Sequence, residues 1–269
     1  APSRASRTPA TPSTPRPGDS YVQSFARGLE VIRSFHAQAP RQTLTEVAER
    51  SGLSRAGARR ILLTLQALGY VEGDGKHYAL TPRILDLGFA YLSSMPIWNL
   101  AEPVMEQLVA QVKESCSVAV LDTTDIVYVM RVPTHKIMRL TLGVGSRLPA
   151  FCTSMGRILL ADLPDEEVHA RLVASDRQAR TKHTVTEVDG LMTKVAQARR
   201  QGWCIVNQEL EEGLISLAAP LTNRAGRMVA ALNLSGQANR TSAKVAQDQL
   251  LPSLLASARH ISSLLSQQT

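Results

Sequence analysis

Between residues 43 and 80 the chain reads TLTEVAERSGLSRAGARRILLTLQALGYVEGDGKHYAL, and its apolar positions follow two different periods. Leu44, Val47 and Ala48, then Ala58, Ile61, Leu62, Leu65 and Leu68, recur every three or four residues. Each group forms one apolar stripe, so two short helices are predicted. Gly52 stands between them, where a left-handed turn costs glycine nothing, and Ser54 occupies the N-cap position of the second helix. Past Gly69 the period shortens to two. Tyr70-Val71-Glu72 and His77-Tyr78-Ala79-Leu80 flank Gly73-Asp74-Gly75 and predict a hairpin. Upstream, Phe25, Leu29, Ile32 and Phe35 share one helical register across 22–36 and predict a helix packed behind the other two.

Three helices and a hairpin in this order form a winged helix-turn-helix. Arg55, Arg59 and Arg60 lie on the outer face of the second helix of the pair, in its N-terminal half, where a major groove is read. Thr45, Ser54 and Gly57 share that surface, and Lys76 and His77 near the hairpin tip reach towards phosphate or the minor groove. The same arginines also suit an ordinary solvated helical hairpin, and His77 a plain wing position. Charge distribution favours nucleic acid. The chain carries +7 overall, but residues 1–83 hold 12 Lys/Arg against 6 Asp/Glu, whereas residues 84–269 hold 18 against 17. An excess of positive charge gathered in one third of the chain attracts polyanions through counterion release.

The remainder alternates short helical and strand-like runs. Thr81-Pro82 starts a helix with a broad apolar face (Ile84, Leu85, Leu87, Gly88, Tyr91, Leu92), expected to link two domains, to pack on its counterpart in a dimer and to stop at Pro96. Asn99 is placed to cap the next helix. Strands are predicted at 117–121, 126–132 and 137–142, then a loop to 151, a helix at 154–161 and another opening at Pro164. A helix over 187–201, strands near 203–209, 215–221 and 227–235, and one C-terminal helix from Ser242 with Pro252 inside it complete the series. The fold class is α+β, with helices covering an antiparallel sheet. The expected division is a leader at 1–19, the DNA-binding domain at 20–81, a linking helix at 82–98 and a second domain at 99–269.

At 269 residues and 44% apolar composition, the chain has material for two cores. With 4% aromatic residues, a stacking platform for single-stranded nucleic acid is disfavoured. Cys116, Cys152 and Cys204 are odd in number and apolar in setting, as reduced core cysteines are. No apolar run approaches the ~20 residues of a membrane span, and the Pro/Ser/Thr/Arg-rich start reads as a solvated leader. Cytoplasmic, nucleoid-associated work is expected. No metal-ligand spacing, phosphate loop or nucleophile motif is present, so neither a cofactor nor catalysis is predicted. Cys152 and His183 are a conceivable nucleophile and base that no motif brings together.

SGLSRAGARRILLTLQALGYV, YALTPRILDLGFAYL, GSRLPAFCTSMGRILLA and GWCIVNQELEEGLISLAAPL, in that order, closely resemble the IclR-type bacterial transcription regulators. The resemblance runs from about Tyr21 to the C-terminus. Within the family it is strongest to regulators of aromatic-acid catabolism by the β-ketoadipate pathway. It implies a winged helix-turn-helix joined by a helix to a GAF-like effector domain, acting as a dimer or tetramer on palindromic double-stranded operators. One departure is Gly57, where relatives commonly carry a hydroxyl residue; this leaves the operator sequence open.

The loop-to-helix junction Cys152-Thr153-Ser154-Met155-Gly156 also bears on chemistry. Free amides and the positive end of a helix dipole favour an anion, although any capped helix looks the same. The resemblance assigns a small organic acid to this junction, with its carboxylate on the amides of Ser154 and Met155. It adds Ile137 and Leu140 as an apolar wall, Val206 where some relatives carry an acid, and Leu214, Ser216, Asn233 and Ser235 from the last strands. Alternation puts Asn233 and Ser235 on one face. Glu209, Arg139 and Arg147 are weaker candidates. Two functions stay open: a ligand-responsive regulator, and a DNA-binding dimer whose C-terminal domain only oligomerises.

Overall fold

The computed structural model describes residues 20–95, 97–134, 142–239 and 242–267. They form two compact units, the first ending at Tyr91 and the second beginning at Leu92.

The first unit contains α1 (Gln23–Arg33), β1 (Arg41–Thr43), α2 (Leu44–Arg50), α3 (Arg55–Ala67), β2 (Val71–Gly73), β3 (His77–Leu80) and most of α4 (Leu85–Ser93). Thr43 and Glu46 start α2 with a reciprocal capping box: Thr43 Oγ1 accepts from Glu46 N–H, and Glu46 Oε2 accepts from Thr43 N–H at 2.7 Å. Gly52, at φ +66°, makes the turn, and Ser54 Oγ accepts from Gly57 N–H at 3.1 Å to start α3. Val31, Val47, Ala58, Leu62, Leu65, Val71 and Tyr78 close the core.

Several expectations shift here. Phe25 is 69% exposed and Leu29 is exposed, because the core takes Val31 from α1 and Phe35 beyond its end, so the first turns lie outside the small core. Leu68 is also exposed, since α3 has already ended at Ala67. The short strand β1 was not expected. It pairs with β3 to give the order β1-β3-β2, and its buried Gln42 donates from Nε2 to the carbonyls of Ser34 and Ala39. A 3-10 turn, Pro82–Ile84, precedes α4, whose Leu85, Leu87, Phe89 and Tyr91 are exposed.

The second unit continues with α5 (Ile97–Val112), β4 (Ser115–Asp122), β5 (Asp125–Val132), β6 (Arg147–Pro149), α6 (Ser154–Ala161), α7 (Asp165–Ala174), α8 (Val188–Gln201), β7 (Cys204–Asn207), β8 (Leu214–Thr222), β9 (Met228–Gln237), α9 (Ala243–Gln249) and α10 (Leu251–Ser266). Its antiparallel sheet has the order β6-β5-β4-β9-β8-β7. One face packs Val118, Leu217, Leu232 and Leu234 on α5 and α10; the other packs Ala119, Tyr128, Val206 and Ala231 on α6 and its neighbours. All three cysteines are buried and free. Helix α5 begins at Ile97, so Asn99 lies within its first turn and does not cap it. The C-terminal helix is two helices broken at Leu250, with Pro252 in the first turn of α10, where it sacrifices no hydrogen bond. The strand expected at 137–142 and the stop at Pro96 lie almost wholly outside the described residues.

Helix α6 rests on a 3-10 turn, Ala150–Cys152, closely enough to dictate Gly156. A Cβ there would stand 2.2 Å from the Ala150 carbonyl oxygen and 2.3 Å from its Cα. The bare Cα of Gly156 thus admits the backbone beneath it. Gly156→Ala should therefore destabilise the second unit by about 2–3 kcal/mol, lowering its melting temperature by roughly 4–10 °C. A melting curve identical to wild type would contradict this close contact.

Candidate functional site

Thr153 caps α6: its Oγ1 accepts from Gly156 N–H at 3.2 Å, and its carbonyl accepts from Arg157 N–H at 3.1 Å. The amides of Ser154 and Met155 are left without an acceptor among the described residues. Two N–H groups left open at the positive end of a helix dipole, in a buried junction, offer the donors that an anion requires.

Sheet register brings polar groups to the same place. Ser216 of β8 pairs with Val206 of β7 and Ser235 of β9, while Asn233 is two residues from Ser235 and so shares its face. Ser154 Oγ lies 2.6 Å from Ser216 Oγ. Asn233 donates from Nδ2 to Ser235 Oγ at 2.9 Å and to Ser216 Oγ at 3.3 Å. Ser154, Met155, Val206, Leu214, Ser216, Asn233 and Ser235 thus line one cavity. Ile137 and Leu140, with Arg139, lie outside the described residues. With its open mouth the cavity measures about 480 Å³.

Tyr128, Arg131, Leu142, Cys152, Thr153 and Leu210 also line the cavity and were not assigned to it from sequence. Thr153 and Cys152 belong to the junction that drew attention, and Leu210 follows Glu209 in a loop. Cys152 is no nucleophile: burial pushes its thiol up to about 11, and it stays protonated at neutral pH.

The next turn of α6 is anchored by a buried ion pair. Arg157 is 1% exposed and forks onto Glu209, Nη1 to Oε1 at 2.7 Å and Nη2 to Oε2 at 2.5 Å. Its Nε donates to the Phe151 carbonyl, and Glu209 Oε2 also accepts from Val185 N–H. Glu209, a candidate for a ligand hydroxyl, is therefore engaged on both oxygens. Arg147 is likewise committed, to Asp122 and Asp125.

In the first unit, Arg55, Arg59 and Arg60 are exposed and make no ion pair among the described residues. Ser54 spends its acceptor on the cap, and Thr45 is half-buried in the first turn of α2. Gly57 is half-buried, and a Cβ there would meet Ser54 Oγ at 3.2 Å. Lys76 is exposed at the hairpin tip, where Asp74 Oδ1 accepts from the N–H groups of Lys76 and His77. Those bonds, with Arg41 adding, hold the Asp74 carboxyl down at about 2. The half-buried His77 ring lies 3.8 Å from that carboxylate.

Residues 24–75 match the IclR helix-turn-helix domain, and residues 89–263 match the C-terminal domain of the bacterial transcriptional regulator IclR. The chain belongs to the IclR family. It is a ligand-binding, DNA-binding transcriptional regulator. It is 41% identical over 242 residues to the Pca regulon regulatory protein of Pseudomonas putida, covering 90% of this chain and 83% of that one. A crystal structure of a transcriptional regulator from Rhodococcus sp. RHA1 is 48% identical, with a TM-score of 0.82 over 91% of this chain and 98% of the other. The inducer-binding domain of the Acinetobacter PobR transcription factor, solved as a double mutant with 3-hydroxybenzoic acid, is 30% identical. Its TM-score is 0.58, covering 62% of this chain and 97% of that one. Among the described residues, no group of three or more His, Cys, Asp or Glu is placed to hold a metal ion, and no helix is long and apolar enough to cross a membrane.

Glu209→Ala would leave the Arg157 cation buried and unpaired, at a cost of roughly 3–5 kcal/mol. The double variant Arg157→Leu/Glu209→Leu should recover most of that loss in urea unfolding. Wild-type stability in Glu209→Ala would show that the pair is not buried as described.

Proposed function

We propose that the second unit senses a small aromatic carboxylic acid and that the protein thereby controls catabolic genes. The observation carrying this reading is the pair of unclaimed amides, Ser154 and Met155, facing a cavity edged with hydroxyl groups. A carboxylate placed there takes both N–H groups and the favourable helix dipole. Ser216, Ser235 and Asn233 offer hydrogen bonds to the rest of the ligand, while Met155, Val206 and Leu214 supply apolar wall. The likeness to a PobR domain holding 3-hydroxybenzoic acid and to the Pca regulon regulator supports the same chemical class.

The input acts on the first unit. Helix α3 enters the major groove with Arg55, Arg59 and Arg60, Thr45 and Ser54 meet backbone phosphate, and Lys76 and His77 follow the wing. The absence of a Cβ at Gly57 lets α3 approach the bases. Exposed Leu85, Leu87, Phe89 and Tyr91 supply an apolar surface for pairing two copies, as a palindromic operator requires. Residues 20–81 then bind DNA, 82–98 link and pair the chains, and 99–269 sense, in a dimer or a dimer of dimers.

A panel of 4-hydroxybenzoate, 3-hydroxybenzoate, protocatechuate and β-ketoadipate tests the reading by thermal shift, with and without operator DNA. At least one acid should raise the melting temperature progressively with its concentration, reaching about 2.7 kcal/mol of stabilisation at a hundredfold excess over Kd. Ser154→Trp should abolish that shift and leave DNA binding by the free protein intact. No shift with any acid would instead favour a domain that only oligomerises. Arg55→Ala and Arg59→Ala should each weaken operator binding by about 1–3 kcal/mol with acid binding unchanged. Wild-type operator affinity in both variants would remove these arginines from the readout.

A further inference from the structure

Across their paired stretch β5 uses one residue more, 125–132, than β4 does, 116–122. Val118 of β4 pairs with Met130, but its neighbour Ala119 pairs with Tyr128, so Val129 is bulged. Up to that point β5 alternates regularly, with Ile126 and Tyr128 on the α6 face. The extra residue resets the alternation. Val129 and Met130 both join the opposite core, and Arg131, paired with Ser117, comes onto the α6 face. Without the bulge Arg131 would point into the apolar core against α5 and α10.

Brought to the cavity, this cation is poorly satisfied. Its one hydrogen bond runs from Nη1 to Ser117 Oγ at 3.4 Å, and no carboxylate pairs with it among the described residues. Tyr128, beside it, does not offset the charge, since burial pushes that phenol up to about 12 and keeps it protonated. Ser117 also pairs with Asn233 on its other side, so Arg131, Ser117 and Asn233 form one cross-strand row. Asn233 is 2% exposed, and its Oδ1 has no hydrogen-bond partner. Turning the amide over exchanges the atoms but still leaves one unmatched. Buried polar atoms are nearly always paired, so the unmatched Asn233 atom calls for a partner, and the half-buried Arg131 guanidinium in the same cavity has N–H groups to spare for that group.

We infer that this row is a second polar subsite, which accepts an oxygen at the far end of the effector. The effector class is then an acid with a second oxygen function, hydroxyl or carboxylate, and not a plain monoacid. The inference rests on the acid-sensing reading above, which supplies the first anchor at α6. Ser154 sits over Ser216 on β8, while Ser117 is two strands away on β4, with β9 between. Two strand spacings are about 10 Å. Asn233, on β9, already touches Ser216, so Arg131 is the far member of the row. A substituent across a six-membered ring from the carboxylate reaches between Asn233 and the Arg131 side chain, whereas one next to the carboxylate stays beside Ser216. A hydroxyl oxygen there accepts from Arg131 and donates to Asn233 Oδ1. A carboxylate accepts from Arg131 and, with the amide turned over, from Asn233 Nδ2.

Calorimetric titration of the full chain with benzoate, 4-hydroxybenzoate and terephthalate separates the possibilities. Wild type should bind at least one of the two para-substituted acids about tenfold or more tighter than benzoate, the scale of a charged hydrogen bond. Arg131→Met should lose that preference while binding benzoate within about threefold of wild type, and this retained binding shows that the variant is folded. Arg131→Gln provides a second neutral variant read in the same way, and Arg131→Lys should keep part of the preference for terephthalate. Full preference in the neutral variants would overturn the subsite and leave the α6 anchor standing. Equal affinity of wild type for all three acids would do the same. Failure of all three acids to bind wild type would refute the anchor, and the subsite with it.

Discussion

Two carboxylate oxygens of Glu209 facing the guanidinium fork of Arg157 are the constraint on which the sensing unit is built. Both side chains are buried, and taking two charges out of water costs several kcal/mol for each. A pair of leucines would fill the space without that cost, but would not fix direction. The fork ties α6 to the loop after β7, and through Val185 N–H to the segment before α8. Thr184 and Thr181 donate to the carbonyls of Glu209 and Gln208 and pin the same loop from the other side. Below, Gly156 lets the helix lie against the Ala150 backbone. The orientation of the two free amides at Ser154 and Met155 follows from these contacts.

The charge split along the chain has a local counterpart. In the second unit Arg147, Arg157, Arg171 and Arg199 each have a carboxylate partner. In α3 the three arginines have none among the described residues and face solvent. A paired arginine is a poor ligand for a polyanion, because its guanidinium is already engaged. Free arginines on one exposed helix retain their field for phosphate and their fork for a base edge. Helix α3 is thus distinguished by gathering three unneutralised cations on one exposed face.

Much of this was legible in the sequence because it depends on local periodicity. The stripe from Ala58 to Leu65, the Ser54 cap and the turn at Gly52 need only neighbours within a few residues. The alternation of Asn233 and Ser235 put them on one face before any partner strand was known. Features that depend on distant contacts were hidden. Nothing near Glu209 announces Arg157, 52 positions earlier, so its carboxylate read as available. The bulge at Val129 leaves no mark in a run of apolar residues, and strict alternation would have sent Arg131 to the wrong face. Phe25 and Leu29 kept a helical register that the small core does not reach, and β1 was too short to show a period.

The central claim is that the amides of Ser154 and Met155, held in place by Arg157 and Gly156, are the receptor for the effector's carboxylate. A crystal structure of the full chain with 4-hydroxybenzoate tests it most directly. The account predicts carboxylate oxygens at about 2.7–3.2 Å from both amide nitrogens, with the phenolic oxygen towards Arg131. A ligand bound elsewhere, or one whose carboxylate sits on Arg131 while both amides remain free, would contradict it.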